Sequence, residues 1–591
     1  MYLPNIGASF ACLLLEELYR NGCRAFFLSP GSRSTHLALQ VRSLTMREKD
    51  VRAITCYDER SAAFAALGHA RATRSPAVVI TTSGTAVANL HPAVAEADED
   101  HVPLILLTAD RPPELRHACA NQTTDQVKLF GHAVRFFSDL PCADDRVSPC
   151  AWLSTVDLAV HASMHPNPGP VHLNCMFRVP LDMSKQAYNT SIFDGLSNWS
   201  QSGRPWTEYR SCMQEPAQQD VSSVVKLLKR AERGVVVLGQ LSFPENAELV
   251  RKLCAILGWP VYADVSSGCS GWNDVPLIHN FSYLLRHEAS ANTFAPDVIL
   301  HIGRRTVAKP LEKFFEQCAK RVTSCCHIQI DEGERRSDPF HSVSLRLSGS
   351  IRGWVSALHE QLALEGGAGT HAFVKALLKV DERIQTALEQ HIETQPAVSE
   401  PFVSETIGKF LREGNGLFLS SSMPVRDMHH FGLAHLKRVM LGLNRGLSGI
   451  DGVLSSAVGF CLGLSRPTTL LIGDLAFLHD TNGLNVLHSA AAPLTVVVLN
   501  NGGGAIFGFL PLAKTPELLT PFFDTPHTIS LAKLCEAHGI RHVAVESKHA
   551  FIDAYMAGIE SGLPNVIEVK TDMKANIDLH NVLEAAALSM L

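Results

Sequence analysis

The chain has 591 residues, 46% of them hydrophobic and 19% charged, with mean hydropathy +0.07. At roughly 150 residues per domain that length suggests about three or four domains, of which three are favoured below. A net charge of −6 and a pI near 6.5 offer no basic field to nucleic acid, and no Lys/Arg run reaches polybasic length.

The opening stretch MYLPNIGASFACLLLEELYRNG has no basic leader, and Glu16 and Glu17 interrupt its apolar run. It predicts an amphipathic helix rather than a signal peptide. No apolar run approaches the ~18 residues of a membrane span, so no integral membrane association is expected. The 15 cysteines, from Cys12 to Cys535, contain no C-x-x-C pair. Many, such as Cys175 and Cys461, sit in apolar contexts, which predicts free thiols and a cytoplasmic protein. The adjacent Cys325 and Cys326 fit a strand edge better than a redox pair, and the spacings support no zinc site.

Along residues 1–183, apolar runs AFFLS (25–29), AITCY (53–57), AVVITT (77–82), LILLT (104–108) and VHLN (171–174) predict strands. Between them, ERSAAFAALGHARAT (59–73) and GTAVANLHPAVAEADED (84–100) carry helical spacing. Alternation of this kind predicts a parallel sheet covered on both faces. Residues 184–222 turn polar and irregular, as a connection does.

A second set of strands is predicted within 223–363: GVVVLG (234–239), PVYAD (260–264), VILHIG (298–303) and HIQID (327–331). LEGGAGTHAF (364–373) then opens a third unit, 364–591, with GLFLSS (416–421), TLLIGD (469–474), LTVVVLN (494–500) and VIEVK (566–570). The expected fold is α/β, three doubly wound parallel-sheet domains. No repeat is visible among the three at residue level.

In LLIGDLAFLHD (470–480) a carboxylate, Asp474, falls where a buried strand should end. A helix cap is one reading of it. A second reading comes from LTVVVLN, whose strand runs into NNGGG and so places Asn501 and Gly503 one crossover helix further on. Asp474 and Asn501 would then share the carboxyl edge of one sheet. Carboxylate, amide oxygen and a glycine-loop carbonyl are hard donors suited to Mg²⁺, which completes its octahedron with phosphate oxygens and water.

This spacing resembles the thiamine-diphosphate signature, although Leu475 stands where many members have Gly. Further segments complete a more specific pattern: SPGSRS (29–34), DERSAAFAALG (58–68), TSGTAVANLHPAVAEA (82–97), TADRPPELR (108–116), NQTTDQ (121–126), GPVHLN (169–174), NRGLSGIDG (444–452) and GDLAFLHD (473–480). Together they resemble the 2-succinyl-5-enolpyruvyl-6-hydroxy-3-cyclohexene-1-carboxylate synthase family, thiamine-diphosphate enzymes of menaquinone biosynthesis, from about residue 5 to 570. Leu475 is what that family usually carries.

The resemblance implies a pyrimidine-binding first domain, a central domain and a diphosphate-binding third domain. It implies thiamine diphosphate with Mg²⁺, or Mn²⁺, held by Asp474, Asn501 and Gly503. Glu59 would hydrogen-bond the aminopyrimidine ring, although alone it reads as a helix-dipole residue. Ser422 would lie near the diphosphate, and Ile450 would support the bent cofactor.

The implied substrates, 2-oxoglutarate and isochorismate, are dicarboxylates suited to guanidinium groups. Ser32, Arg33, Arg111 and Gln122 would face isochorismate, and Arg426 and Arg445 substrate or intermediate carboxylates. Lys309 would be the central domain's contribution, and Phe507 part of the wall. For each Arg a solvated surface charge, and for Ile450 and Phe507 a core position, is the alternative.

Pro310 stands where some members carry Arg, and Met176 and Val179 depart from the family's usual turn. His91 and His172 receive no catalytic role. The fold also implies a homodimer or dimer of dimers, with the Glu59 domain of one subunit facing the metal domain of another. Two competing readings are another thiamine-diphosphate 2-oxoacid decarboxylase or carboligase, and a non-catalytic metabolite-binding protein on the same fold.

Overall fold

The structure, a computed structural model, describes residues 3–211, 215–241, 246–320, 325–367 and 372–591. Cys212 and residues 368–371 of the LEGGAGTHAF stretch lie outside them.

The first sheet contains β1 (Ala25–Leu28), β2 (Arg52–Thr55), β3 (Ala77–Thr81), β4 (Leu104–Asp110), β5 (Phe136–Leu140) and β6 (Pro170–Met176), all parallel, in the order β2-β1-β3-β4-β6-β5. The second holds β7 (Gly234–Leu238), β8 (Val261–Ala263), β9 (Val298–Ile302), β10 (Cys326–Asp331) and β11 (Leu345–Ser348), in the order β11-β10-β9-β7-β8. The third comprises β12 (Gly416–Leu419), β13 (Met440–Leu443), β14 (Thr468–Gly473), β15 (Leu494–Asn500), β16 (Arg541–Val545) and β17 (Asn565–Lys570), in the order β13-β12-β14-β15-β17-β16.

Three doubly wound units are therefore present, and the first and third share one strand order, a kinship no residue-level repeat revealed. Each predicted strand exists. The strands that sequence reading missed, β5, β11, β13 and β16, are all edge strands, and their short, half-exposed runs FFSDL, LRLS, MLGL and RHVAV lack a continuous apolar signature.

The helix over Glu59–Thr73 forms as expected. The one expected over 84–100 is instead two, Thr85–Ala88 and His91–Glu99. Pro92 lacks the N–H and its ring would strike the carbonyl of Ala88, so the chain re-enters the helix with Pro in the first turn. Within 184–222, Phe193, Leu196 and Trp199 are buried in the core of the first domain, so this part of the connection is packed down rather than free.

The first and third domains share one apolar core. At its centre helix Glu59–Thr73 packs on helix Val453–Leu464, the two occupying equivalent places in their units. A Cβ on Gly68 would lie 1.9 Å from the Ser456 carbonyl oxygen, and one on Gly459 would lie 1.8 Å from that of Ala65. Two backbones thus touch at reciprocal glycines, which only residues without a side chain permit. The crossing fixes how the two strand edges that carry the site residues are presented.

Candidate active site

Asp474 follows the last residue of β14 and opens helix Asp474–His479. Its Oδ1 accepts the Leu475 N–H at 2.7 Å, and its Oδ2 accepts those of Gly502 and Gly503 at 2.9 and 3.0 Å, so the strand-end acid and the glycine loop after β15 form one cradle. The N-cap position of that helix is held by Gly473, not Asp474, so the helix-cap reading does not apply. Burial raises its pKa, opposed by the Leu475 N–H and by His527, whose Nε2 lies 3.2 Å from Oδ2.

Beside it, Asn501 Nδ2 donates to Glu400 Oε1 at 2.8 Å, while Asn501 Oδ1 is buried and has no hydrogen-bond partner among the described residues. A Cβ at Gly503 would sit 2.3 Å from the Asp524 carbonyl oxygen, and its φ of +159° lies at the limit of what L side chains adopt. An orphaned buried amide oxygen beside a buried carboxylate is a hard-oxygen donor set, and it fits Mg²⁺.

The neighbouring strand ends carry the cations. Ser422, after β12, adopts φ +74° and caps helix Met423–Asp427, whose Arg426 donates from Nη1 to the Ser422 carbonyl. Arg445 follows β13, and Ile450 ends the same loop, 38% exposed. Burial lowers the pKa of both arginines. Arg445 pushes Arg426 down further, which marks the two guanidinium groups as neighbours.

Lys309 opens helix Lys309–Lys320 of the central domain. It acts together with Arg445 on Glu312, whose carboxyl is raised by burial. Among the described residues none of Arg426, Arg445 and Lys309 makes a direct ion pair with a carboxylate, although Glu312 lies near Lys309 and Arg445, and Asp264, Asp100 and Glu96 act on Arg445 from further off. Phe507 lies in the turn Ala505–Phe509 and meets Phe523 edge-on at 5.3 Å.

A second set gathers at the carboxyl edge of the first sheet. Ser32 is exposed on the turn Ser32–Ser34, whereas Arg33 is buried and donates from Nη1 to the Phe177 carbonyl at 2.8 Å. Its Nε, Ser29 Oγ and Thr82 Oγ1 are buried without partners among the described residues. Gln122, with φ +54°, donates to the Ser83 carbonyl at 3.1 Å, and Arg111 donates to that of Asn121 at 2.6 Å.

Glu59 is half-buried at its helix N-terminus and has no hydrogen-bond or ion-pair partner among the described residues. Its neighbours reach the turn beyond Asp474's helix: Arg60 donates to the His479 carbonyl at 2.9 Å, and Asn482 to Asp58 at 2.8 Å. Among the described residues no hydrogen bond or ion pair joins the side chain of Glu59, or the Ser32, Arg33, Arg111 and Gln122 group, to Asp474 within this chain.

Glu400 and His527 were not expected. Glu400 follows the N-cap Ser399 and reads in sequence as an ordinary helix-start acid, and His527 falls in an irregular stretch. No signal distinguishes either before folding.

Comparison with known proteins agrees with this geometry. Residues 9–129 match the family described as "Thiamine pyrophosphate enzyme, N-terminal TPP binding domain", 190–419 "Middle domain of thiamine pyrophosphate", and 425–569 "Thiamine pyrophosphate enzyme, C-terminal TPP binding domain".

The 2-succinyl-5-enolpyruvyl-6-hydroxy-3-cyclohexene-1-carboxylate synthase of Rubrobacter xylanophilus is 39% identical over 98% of this chain and 98% of its own length. That of Salinibacter ruber is 37% identical over 99% and 97%. The chloroplastic protein PHYLLO of Arabidopsis thaliana is 36% identical over 99% of this chain, which spans 35% of that longer protein.

Near-full-length identity of this order, over three domains that each match a thiamine pyrophosphate enzyme domain, places the chain in the 2-succinyl-5-enolpyruvyl-6-hydroxy-3-cyclohexene-1-carboxylate synthase family.

Proposed function

We propose that the chain decarboxylates 2-oxoglutarate and adds the succinyl unit 1,4 to isochorismate, giving 2-succinyl-5-enolpyruvyl-6-hydroxy-3-cyclohexene-1-carboxylate and CO₂. The observation that carries this reading is the set of cations without a direct ion pair among the described residues: Arg426 and Arg445, after β12 and β13 of the sheet whose β14 leads into Asp474, and Lys309, which acts with Arg445 on Glu312. A monoanionic substrate has no need of so many.

When bound, thiamine diphosphate supplies the nucleophilic thiazolium carbon and the electron sink for loss of CO₂. Asp474, Asn501 and the Gly503 carbonyl would hold Mg²⁺, or Mn²⁺, with Ser422 near the diphosphate. Ile450, exposed on the loop after β13, would offer the cofactor an apolar support. The Glu59 carboxylate would hydrogen-bond the aminopyrimidine ring, and its side chain, without a partner among the described residues, is free to do so.

Arg426, Arg445 and Lys309 bind carboxylates of 2-oxoglutarate or of the intermediate, since Arg426 and Arg445 follow strands of the Asp474 sheet and Lys309 acts with Arg445 on Glu312. Ser32, Arg33, Arg111 and Gln122 bind isochorismate, and Phe507 closes the wall. The working division is a pyrimidine-binding domain 1–183, a linker 184–222, a central domain 223–363 and a diphosphate-binding domain 364–591.

The protein acts as a homodimer or dimer of dimers in the cytoplasm. Tyr57, Leu447 and Phe522, each more than half exposed on the strand-edge loops, support such an interface, and the free state of all 14 described cysteines supports a reducing compartment. Among the described residues no helix is long and apolar enough to cross a membrane. Sedimentation that shows an active monomer overturns the dimer.

The assay mixes protein, thiamine diphosphate, Mg²⁺, 2-oxoglutarate and isochorismate and follows isochorismate by absorbance. Consumption only with every component present supports the reading. Turnover of pyruvate alone points to another 2-oxoacid decarboxylase, and ligand binding without turnover to a metabolite-binding protein.

A further inference from the structure

Arg445 sits on a loop with no regular structure, yet its backbone is held from two other domains. Glu96, in helix His91–Glu99 of the first domain, is 3% exposed. Its two carboxylate oxygens accept the N–H groups of Gly446 and Leu447 at 2.8 and 2.7 Å. From the opposite side Arg305 of the central domain donates to the carbonyls of Arg445, at 3.0 Å, and of Gly446. Its other nitrogen pairs with Glu99, three residues from Glu96.

The backbone around Gly446 is thus held by side chains of two other domains, and the bonds from the Arg305 guanidinium are of the stronger, charge-assisted kind. The fit leaves no slack: a Cβ on Gly446 would lie 2.9 Å from the Glu96 carbonyl oxygen and 3.0 Å from Glu99 Cβ. Everything flanking the Arg445 side chain is fixed, while the guanidinium itself has no ion pair among the described residues.

We propose that Glu96 and Arg305 are positioning residues: a carboxylate from one domain and a guanidinium from another clamp the 445–447 backbone so that Arg445 stands ready for a substrate carboxylate. Holding a charged side chain in place before substrate arrives lowers the ordering cost of binding. The inference rests on the reading that Arg445 meets a carboxylate of 2-oxoglutarate. It also gives the central domain a task besides Lys309.

The test is steady-state kinetics on holoenzyme with thiamine diphosphate and Mg²⁺, comparing wild type, Arg445→Met, Glu96→Gln, Arg305→Met and the double variant Glu96→Gln/Arg445→Met. Cofactor affinity is read in parallel from tryptophan fluorescence. Gln at 96 retains one acceptor but turns an amide donor toward a backbone N–H. We expect Glu96→Gln and Arg305→Met to raise KM for 2-oxoglutarate about tenfold, with kcat within about threefold and cofactor affinity unchanged.

In the Arg445→Met background Glu96→Gln should add less than about twofold, because both act on one contact. Full additivity, unchanged KM, or a loss confined to kcat and cofactor affinity overturns the proposal. Arg305 is only half-buried, so its variant decides the matter if Glu96→Gln fails to fold. An Arg445→Met variant with wild-type KM for 2-oxoglutarate instead overturns the reading of Arg445 itself, whatever the clamp variants do.

Discussion

Asn501 Nδ2 donates to Glu400 Oε1 at 2.8 Å, and this one bond turns the amide oxygen of Asn501 inward, buried and without a partner. An amide can sit either way round, and a metal ligand must present oxygen, so Glu400 selects the orientation that binds a cation. Glu400 also accepts from Thr571 Oγ1 at 3.3 Å, which holds the carboxylate itself in place.

Replacing Glu400 with Ala should therefore weaken divalent-metal binding by about 10–100-fold, the usual cost of losing an outer-shell partner. Glu400→Gln, which keeps one acceptor oxygen, should lose less. Mn²⁺ titration followed by electron paramagnetic resonance reads this without turnover. Equal affinities for wild type and Glu400→Ala would remove Glu400 from the metal site.

The crossing of helices Glu59–Thr73 and Val453–Leu464 makes a stability prediction. Gly68→Ala gains about 1 kcal/mol of helix propensity but drives a methyl to 1.9 Å from the Ser456 carbonyl oxygen. Backbone cannot yield as a flexible side chain does, so the overpacking cost of about 1–3 kcal/mol wins and the variant is destabilised. Gly195→Ala, where a Cβ meets nothing within 4 Å, should change stability by no more than about 0.5 kcal/mol. Urea unfolding of the two variants checks the contrast.

A buried carboxyl pair ties the chain after the first domain to that domain. Glu17 accepts from the Trp199 indole at 2.6 Å and the Trp206 N–H at 2.5 Å, while Asp157 accepts from the Thr207 N–H at 2.7 Å. Burial first, then the neighbouring Asp157, raises Glu17 to about 8. Because the folded pKa lies above the unfolded value, the folded state holds the extra proton. Stability then falls as pH rises from about 4.5 towards 8 and levels off beyond. Glu17→Gln, which resembles the protonated form, should flatten that slope. Thermal unfolding from pH 5 to 9 measures it, and an unchanged slope in the variant would assign the effect to another group.

What could be read from the sequence follows a physical division. AVVIT and LTVVVLN announce themselves because a central parallel strand is buried on both faces and has no need of polar residues. FFSDL and RHVAV, at sheet edges, carry mixed residues and pass for loops. The Asp474 and Asn501 pair is legible because one βαβ unit fixes their relation.

Glu400 and Glu96 are not legible, since the groups they hold lie 101 and 350 positions away. Before folding, a buried acid with a distant partner looks the same as any other charge on a helix. The split of 84–100 at Pro92 was readable in principle, because the proline is in plain sight.

The side chain of Glu59 differs from those of Asp58 and Asp480, near the two domains' contact, in having no hydrogen-bond or ion-pair partner among the described residues. Asp58 caps its helix by accepting the Arg60 N–H at 2.9 Å, and Asp480 accepts the Ser455 N–H at 2.7 Å, so both are occupied structurally. Glu59 contributes no such bond, and its removal should cost the fold little. Glu59→Gln should retain thiamine diphosphate affinity and melting temperature while lowering turnover by about 10²–10⁴-fold, the range for loss of a general acid-base group. Exchange of the thiazolium C2 proton, followed by NMR on quenched samples, isolates the step. A Glu59→Gln protein that exchanges and turns over at wild-type rates would take Glu59 out of the chemistry, while one that loses stability instead would return it to the helix.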